Sequence, residues 1–571
     1  MRRLMVAIGI VALLVIGVNS TIINIPDDYP TIQQGIDHGQ DGDTVLVQPD
    51  IYYENLNFNG HNVVLASLFL TTGDTSFVSS TIIDGHQSAS VITFSTAEDS
   101  RAQVIGFKIQ NGHAYDGGGI YCLYSNPTIS ANTISGNSAD LFGGGIYCDD
   151  SSPTISNNTI SGNSAAFGGG IFYWDSSPTI NNNSISTNSA DGGGGISCWE
   201  SSPTIRNNTI SGNWANAGGG IECYYSNPTI SNNTISGNWA YYHGGGIYCY
   251  NWSSPTIANT ILWEDTAPNG PELFLEGGHA TVSYCDVQGG WPGTGNIDAD
   301  PVFAGPYNKD FHLRWHSPCI DAGEPSLSDP DGTRSDVGAF YFNQDVDGIV
   351  ELYPHDTPIV IPPEGGDIIY DGWVFNFLGH PGRVDIWSYA FVPEMGPYGP
   401  IHLYENVRIP ADSIGMNEIG KYVPGGAPEG DYVFVAYVGD YPTSIIDSSY
   451  FYFSKSGSIG DGISYLLESG DWFKQASSTA GSLPSDYAIS QNYPNPFNAI
   501  TIINYELPVA SYVKLEVYNL FGQKVTTLVD SKQEAGYRSV VWQASEVSSG
   551  VYFYRLTAGD FTETKRMMLV K

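Results

Sequence analysis

Gly143 to Phe167 reads GGGIYCDDSSPTISNNTISGNSAAF, and close copies of this unit follow one another along the middle of the chain. The string GGGI begins at Gly117, Gly143, Gly168, Gly193, Gly218 and Gly244, at spacings of 26, 25, 25, 25 and 26 residues. Each unit holds three short alternating runs separated by Gly, Pro, Asn or Ser. Three strands with turns use about 25 residues at ~3.3 Å per residue, which makes one coil of a solenoid with its neighbour ~4.8 Å away. Helical repeats are excluded by the Gly, Asn and β-branched content. Leucine-rich repeats have a similar period, but their leucines are absent.

Stacking the coils turns aligned positions into ladders. Ile120, Ile146, Ile171, Ile196, Ile221 and Ile247 are expected to form one inward stack. A second comprises Ile129, Ile155, Ile180, Ile205, Ile230 and Ile257, and a third Ile134, Ile160, Ile185, Ile210, Ile235 and Ile261. Asn132, Asn158, Asn183, Asn208, Asn233 and Asn259 fill a turn column whose amides bond along the stack. The Asn-x-Thr sequons are read as ladder residues, not as glycosylation sites. Cys122, Cys148, Cys198, Cys223 and Cys249, interrupted by Tyr173, lie two residues after the ladder Ile and so face inward. Their parallel side-chain vectors suit a buried thiol stack better than disulfides. One thiol per coil does not build a metal tetrahedron.

A solenoid must cover its ends. Before the repeats, IPDDYPTIQQGID (Ile25 to Asp37) reads as a short cap helix, with Pro30 in its first turn and Ile32 and Ile36 on one face. The segments DYPTIQQGID, GDTVLVQPDIYYENL, STIIDG, GFKIQNG and SPCIDAG, with the GGGIYC units, resemble right-handed parallel β-helix proteins of the pectate-lyase-like kind. In pattern they are most similar to polymorphic outer-membrane repeats. The resemblance covers residues 21–342 and implies an all-β solenoid. That family includes lyases, hydrolases, epimerases and proteins without catalysis, so activity must be argued from the site.

The chain has 571 residues and a net charge of −38, which opposes binding to nucleic acid and anionic lipid. Residues 1–20 read as a signal peptide: Arg2 and Arg3, an apolar run from Leu4 to Val18, then small residues at Asn19 and Ser20. No later stretch is apolar and long enough to span a membrane. Residues 350–454 show long alternating strands, among them DYVFVAYV from Asp431, and are expected to form an immunoglobulin-like β-sandwich. Residues 455–486 read as a linker.

The remaining segment, 487–571, contains QNYPNPFN from Gln491, then VKLEVYNLFGQKV, then GVYFYRLTAGDFTETKRMMLVK. These motifs resemble the type A sorting domain of type IX secretion. The resemblance implies export through the periplasm, recognition by the outer-membrane machinery, and release or attachment at the cell surface. From Pro484 onward eight basic residues balance eight acidic ones, so the acidic excess belongs to the passenger.

Chemistry is sought on the outside of the GGGIxC strand, where residues alternating with Ile and Cys point away from the core. One column holds Tyr121, Tyr147, Phe172, Ser197, Glu222 and Tyr248; the next holds Leu123, Asp149, Trp174, Trp199, Tyr224 and Tyr250. Aromatic faces stack on sugar C–H faces and carboxylates bind hydroxyls, so Tyr121, Tyr147, Phe172, Trp174, Trp199, Tyr224, Tyr248 and Tyr250 are the candidate glycan contacts. Cross-coil stacking for stability is the competing reading. Asp149, Asp150, Asp175 and Glu200 are the candidate acids of a glycoside hydrolase or polysaccharide lyase. A lyase also needs a base, and the repeats contain only Arg206 and no lysine. Adhesion or display is favoured over catalysis, since a catalytic centre breaks repeat symmetry and the breaks here are mild. No cofactor is expected, calcium excepted: Asp329, Asp331 and Asp336 have calcium-loop spacing, which a turn explains equally well.

Overall fold

The computed structural model describes residues 20–569 apart from 458–486, 493–499 and some shorter stretches. The expected signal peptide, most of the linker and nearly all of the QNYPNPFN motif lie outside the described residues. The chain divides between Phe342 and Asn343 into two compact units.

The first unit is the solenoid. Its strands form three long parallel sheets of eleven, ten and nine strands, and consecutive members of each sheet come from consecutive coils. The Pro-Thr-Ile strands begin the stack at Ile22–Ile25 and end at Thr281–Ser283; the GGGI strands run from Leu56–Asn57 to Leu273–Glu276. Pairing is in register: Ile120 meets Ile146, Ile146 meets Ile171, and Ile171 meets Ile196. These isoleucines are fully buried in one continuous core, with the second ladder and, as far as Ile235, the third. All seven cysteines are unbridged and buried. Tyr173 fills the gap in their column and is wholly buried.

Each glycine triplet is sterically required. Gly143 has φ +64°, a left-handed conformation. Added Cβ atoms at Gly144 and Gly145 would lie 2.4 Å and 2.5 Å from carbonyl oxygens of the next coil. Only three glycines let the chain turn and pass that close to its neighbour.

The asparagine ladder bonds as expected through Asn233. Asn158 Oδ1, for example, accepts from Asn132 N at 2.9 Å and Nδ2 at 3.2 Å, while Asn158 Nδ2 donates to Ile129 O. A second column that the sequence reading passed over, Asn137, Asn163, Asn188, Asn213 and Asn238, bonds the same way. It ends on Asp265, whose Oδ1 accepts from both nitrogens of Asn238.

Two ladder assignments require correction. Ile235 pairs with Leu262, not Ile261, and Asn233 meets Thr260, not Asn259. The turn at Asn251 and Trp252, both left-handed, is one residue longer than its counterparts, yet Ile257 still pairs with Ile230; the slip follows it, where Ala258-Asn259-Thr260-Ile261-Leu262 holds one asparagine in place of the usual pair. Asn259 and Ile261 instead receive the C-terminal cap: Gly338 N donates to Asn259 O, and a Cβ on Gly338 would lie 2.8 Å from Ile261 Cδ1. At the other end the cap helix runs Ile32–His38, with Thr31 as N-cap and Ile32 and Ile36 buried. Pro30 precedes the cap and so lies outside the first turn. Glu54 accepts from the N–H groups of Ile32 and Gln33, satisfying the helix start.

Each coil also holds a short extra segment just before its glycine triplet. It forms strands at His113–Asp116, Ser138–Phe142, Ser189–Gly192, Trp214–Ala217 and Trp239–His243, in separate small sheets. Three runs per coil were expected, and this fourth was not.

The second unit contains two β-sandwiches. In the first, strands from Ile349–Pro354 to Ser444–Lys455 form sheets of three and five around an aromatic and β-branched core. The second spans Ala488–Ile489 to Phe561–Leu569 in sheets of three and four. Both use one device. Tyr432 OH donates to Pro428 O and Tyr552 OH to Ser548 O, each at 2.6 Å and four residues upstream. A hydroxyl tied back across a strand entry in this way pins the corner of a sandwich.

Candidate functional site

The outer face of the GGGI sheet is largely covered. The segment before each glycine triplet ends on Asp116, Phe142, Phe167, Gly192, Ala217 or His243, and its larger side chains lean over the first outward column. Phe142, Tyr147 and Phe172 form a small second core outside the solenoid wall, against which Tyr121, Trp174 and Trp199 pack. Phe142 stacks on Phe172 with centroids 4.3 Å apart, and Tyr147 on Phe172 at 5.8 Å. Tyr147, Phe172 and Tyr248, expected on an open face, are buried, and Tyr121 is half-buried. Strand alternation gave their direction correctly; it says nothing of what lies beyond the wall.

The second column reaches the surface at the margin of this cover. Trp174, Trp199, Tyr224 and Tyr250 are half-exposed and sit in register on successive coils. Their rings form an unbroken chain, with centroids 6.1, 5.3 and 4.9 Å apart. The next residue of each coil is a left-handed turn residue: Tyr124, Asp150, Asp175, Glu200, Tyr225 and Asn251. An exposed row of acids flanked by tyrosines therefore borders the rings. Asp149 lies in the ring column itself, with Tyr147 OH donating to it at 3.3 Å; burial and then the neighbouring Asp150 and Asp175 raise its pKa. Asp150, Asp175 and Glu200 stand in solvent on turns, without the apolar enclosure that poises a general acid.

Two features of this region went unused in the sequence reading. At coils four and five the buried column changes from aromatic to Ser197 and Glu222, and the cover shrinks to Gly192 and Ala217. Ser197 Oγ donates to Glu222 Oε2 at 2.7 Å, and a Cβ on Gly192 would strike the same carboxylate at 2.6 Å. Burial pushes the Glu222 pKa up to about 7 against the hydrogen bond from Ser197. On the cover itself, Trp214 and Trp239 stack at 5.7 Å and are 43% and 37% exposed. Their signal was visible: the Ser of SGNSA becomes Trp in two consecutive repeats.

The Asp329 to Asp336 loop is a turn. Asp331 Oδ1 accepts from Thr333 N and Oγ1, Asp329 Oδ2 from Asp336 N, and the two Asp336 oxygens from Asp321 N and Phe342 N. These carboxylates thus bond the backbone of the cap. Among the described residues no three His, Cys, Asp or Glu side chains converge to hold an ion.

The "Right handed beta helix region" family model matches residues 53–210 and 170–293, and the "Secretion system C-terminal sorting domain" model matches 491–571. No curated protein matches the chain. Among solved structures, red sea bream transglutaminase aligns at 9% identity over 42% of this chain and 36% of its own, with a TM-score of 0.15. Amycolatopsis orientalis exo-chitosanase CsxA aligns at 10% identity over 34% of this chain and 25% of its own, with a TM-score of 0.13. The chain thus spans about a third or less of either structure, and likeness at that level carries no argument about fold or activity. The two family models agree with the parallel coils and the terminal sandwich. No helix among the described residues is long and apolar enough to cross a membrane. The protein is a right-handed β-helix protein with a C-terminal sorting domain of type IX secretion, exported to the cell surface or beyond.

Proposed function

We propose that the β-helix is a displayed or released binding module that holds a neutral polysaccharide chain along the strip Trp174, Trp199, Tyr224 and Tyr250. The observation that carries this reading is the strip itself: four half-exposed rings in register, in mutual contact, beside an exposed row of acids. Sugar rings offer C–H faces to aromatic surfaces and hydroxyl donors to carboxylates. Coils repeat at ~4.8 Å, so the strip spans about 14 Å, the scale of a few sugar units. The net charge of −38 sets the chain against acidic polymers and favours an uncharged one. The open setting of Asp150, Asp175 and Glu200 supports binding over hydrolysis.

The test is a glycan array on the secreted protein, followed by titration of hits against the double variant Trp174→Ala, Tyr224→Ala. Loss of binding of about tenfold or more, with the fold intact by circular dichroism, is expected. Binding that persists in that variant but disappears in Trp214→Ala, Trp239→Ala would move the contact to the outer ladder. Cleavage of a bound glycan, abolished by Asp175→Asn with Glu200→Gln, would replace the binding reading with an enzymatic one.

A further inference from the structure

The first sandwich of the second unit breaks its inside-outside pattern at neighbouring inward positions. Along Gly365–Phe375 the inward residues are Ile368, Tyr370, Gly372 and Val374, so a glycine stands where a side chain should fill the core. Along Gly382–Val392 they are Val384, Ile386, Ser388, Ala390 and Val392, so a hydroxyl stands among aliphatics. Ser388 pairs across the sheet with His402, and Ser388 Oγ lies 2.9 Å from His402 Nδ1. Both strands shift register beside these residues, at Tyr370/Gly372 and Ser388/Ala390. Such bulges re-aim side chains and gather beside functional sites.

The consequence is space. A cavity of about 190 Å³, open on one side, lies between the sheets, with Leu352, Tyr370, Ile386, Val407 and Ile419 in its wall beside Gly372, Ser388 and His402. A Cβ on Gly372 would meet only the ends of two apolar side chains, Ile419 Cδ1 at 3.2 Å and Leu352 Cδ2 at 3.7 Å. A side chain there would need Ile419 Cδ1 to give way by a few tenths of an ångström and would then reach into the space that the glycine leaves open. An apolar cavity of about 150 Å³ suffices to hold benzene. Burial, and then the charge of Lys421, holds the His402 pKa down at about 4, so the ring is neutral at physiological pH. Whichever ring nitrogen carries the proton, the Ser388–His402 pair adds a hydrogen-bonding group to a wall that is mostly apolar.

We propose that this cavity is a binding site for a small uncharged aromatic molecule bearing one hydroxyl group, with Gly372 supplying the room and the Ser388–His402 pair the polar contact. It is independent of the glycan strip, which lies in the other unit. A pattern broken at a glycine, a serine and a histidine that share one space is what a site looks like when packing has been given up for binding.

Equilibrium dialysis of the full chain with phenol tests it, with toluene as the apolar control. Saturable uptake of one phenol per chain is expected. Gly372→Leu should weaken uptake of both probes by about tenfold or more by filling the space. Ser388→Ala should weaken phenol several-fold while leaving toluene unchanged, and this small change does not depend on the leucine variant folding. Absence of saturable phenol uptake by the wild type, or equal phenol uptake by wild type and a folded Gly372→Leu variant, would overturn the proposal. So would a Ser388→Ala variant that treats phenol and toluene as the wild type does.

Discussion

Ser197 Oγ donates to Glu222 Oε2 at 2.7 Å between adjacent coils, inside a column that elsewhere carries Tyr121, Tyr147, Phe172 and Tyr248. This contact places one buried carboxyl within an aromatic layer. Its folded pKa, about 7, lies above the usual value of 4.5. A raised acid stabilises the fold fully below its unfolded pKa, and that stability is lost as pH rises towards the folded value. The melting temperature should therefore fall between pH 4.5 and 7.5, with Glu222 accounting for at most about 3 kcal/mol. Asp265, Asp286 and Asp336 are also raised to about 7 by burial and act in the same direction. Glu222→Gln should show a shallower slope in calorimetry across this range, not a flat one. A slope equal to that of the wild type would contradict the burial assigned to Glu222.

Adjacent asparagines should respond very differently to mutation. Asn183 Oδ1 accepts from Asn158 N and Nδ2, and its own Nδ2 donates to Ile155 O. Asn183→Ala strands two buried donors and should cost about 2–4 kcal/mol in denaturant unfolding. Asn182 is exposed, with φ +56°. Asn182→Gly relieves that conformation and should change stability by less than about 0.5 kcal/mol.

Tryptophans separate in the same way. Trp199 touches Phe142, Phe167, Phe172 and Tyr224, whereas Trp214 lies on the outer ladder and stacks on Trp239. Trp199→Ala should lower the melting temperature by several degrees, corresponding to about 2–4 kcal/mol. Trp214→Ala should move it little.

Much of the solenoid was legible because its information is periodic. Ile, Asn, Cys and Gly return at fixed intervals, so one repeat read correctly reads six. Legibility failed where the pattern slipped, since the single asparagine of Ala258-Asn259-Thr260-Ile261-Leu262 leaves Asn259 and Ile261 one residue short of their columns although Ile257 is in register. It failed again at the segment before the triplet, which reads SADLF, SADG, WANA and WAYYH and is anchored by alanines instead of a repeated Ile. That segment buries Tyr147 and Phe172. The candidate site was therefore half legible: the ring column Trp174 to Tyr250 stands at the surface, while the column beside it became a second core. The Ser388–His402 pair carried no sequence signal, because its residues are brought together only by strand pairing.

Export has its own expectation. Removing residues 484–571 should leave the passenger in the periplasm of a host that has type IX secretion. Fusing those residues and residues 1–20 to a reporter should bring the reporter to the surface, scored by protease accessibility on intact cells. Normal delivery of the truncated chain would contradict the sorting role.

The strip itself is tested most directly by measuring affinity against chain length. For a neutral glycan that binds, calorimetric titration with oligosaccharides of increasing length should show affinity rising with each added sugar until the chain spans the strip from Trp174 to Tyr250, about 14 Å, and then levelling off. Affinity that does not depend on length, or no binding by any neutral glycan, would contradict the account.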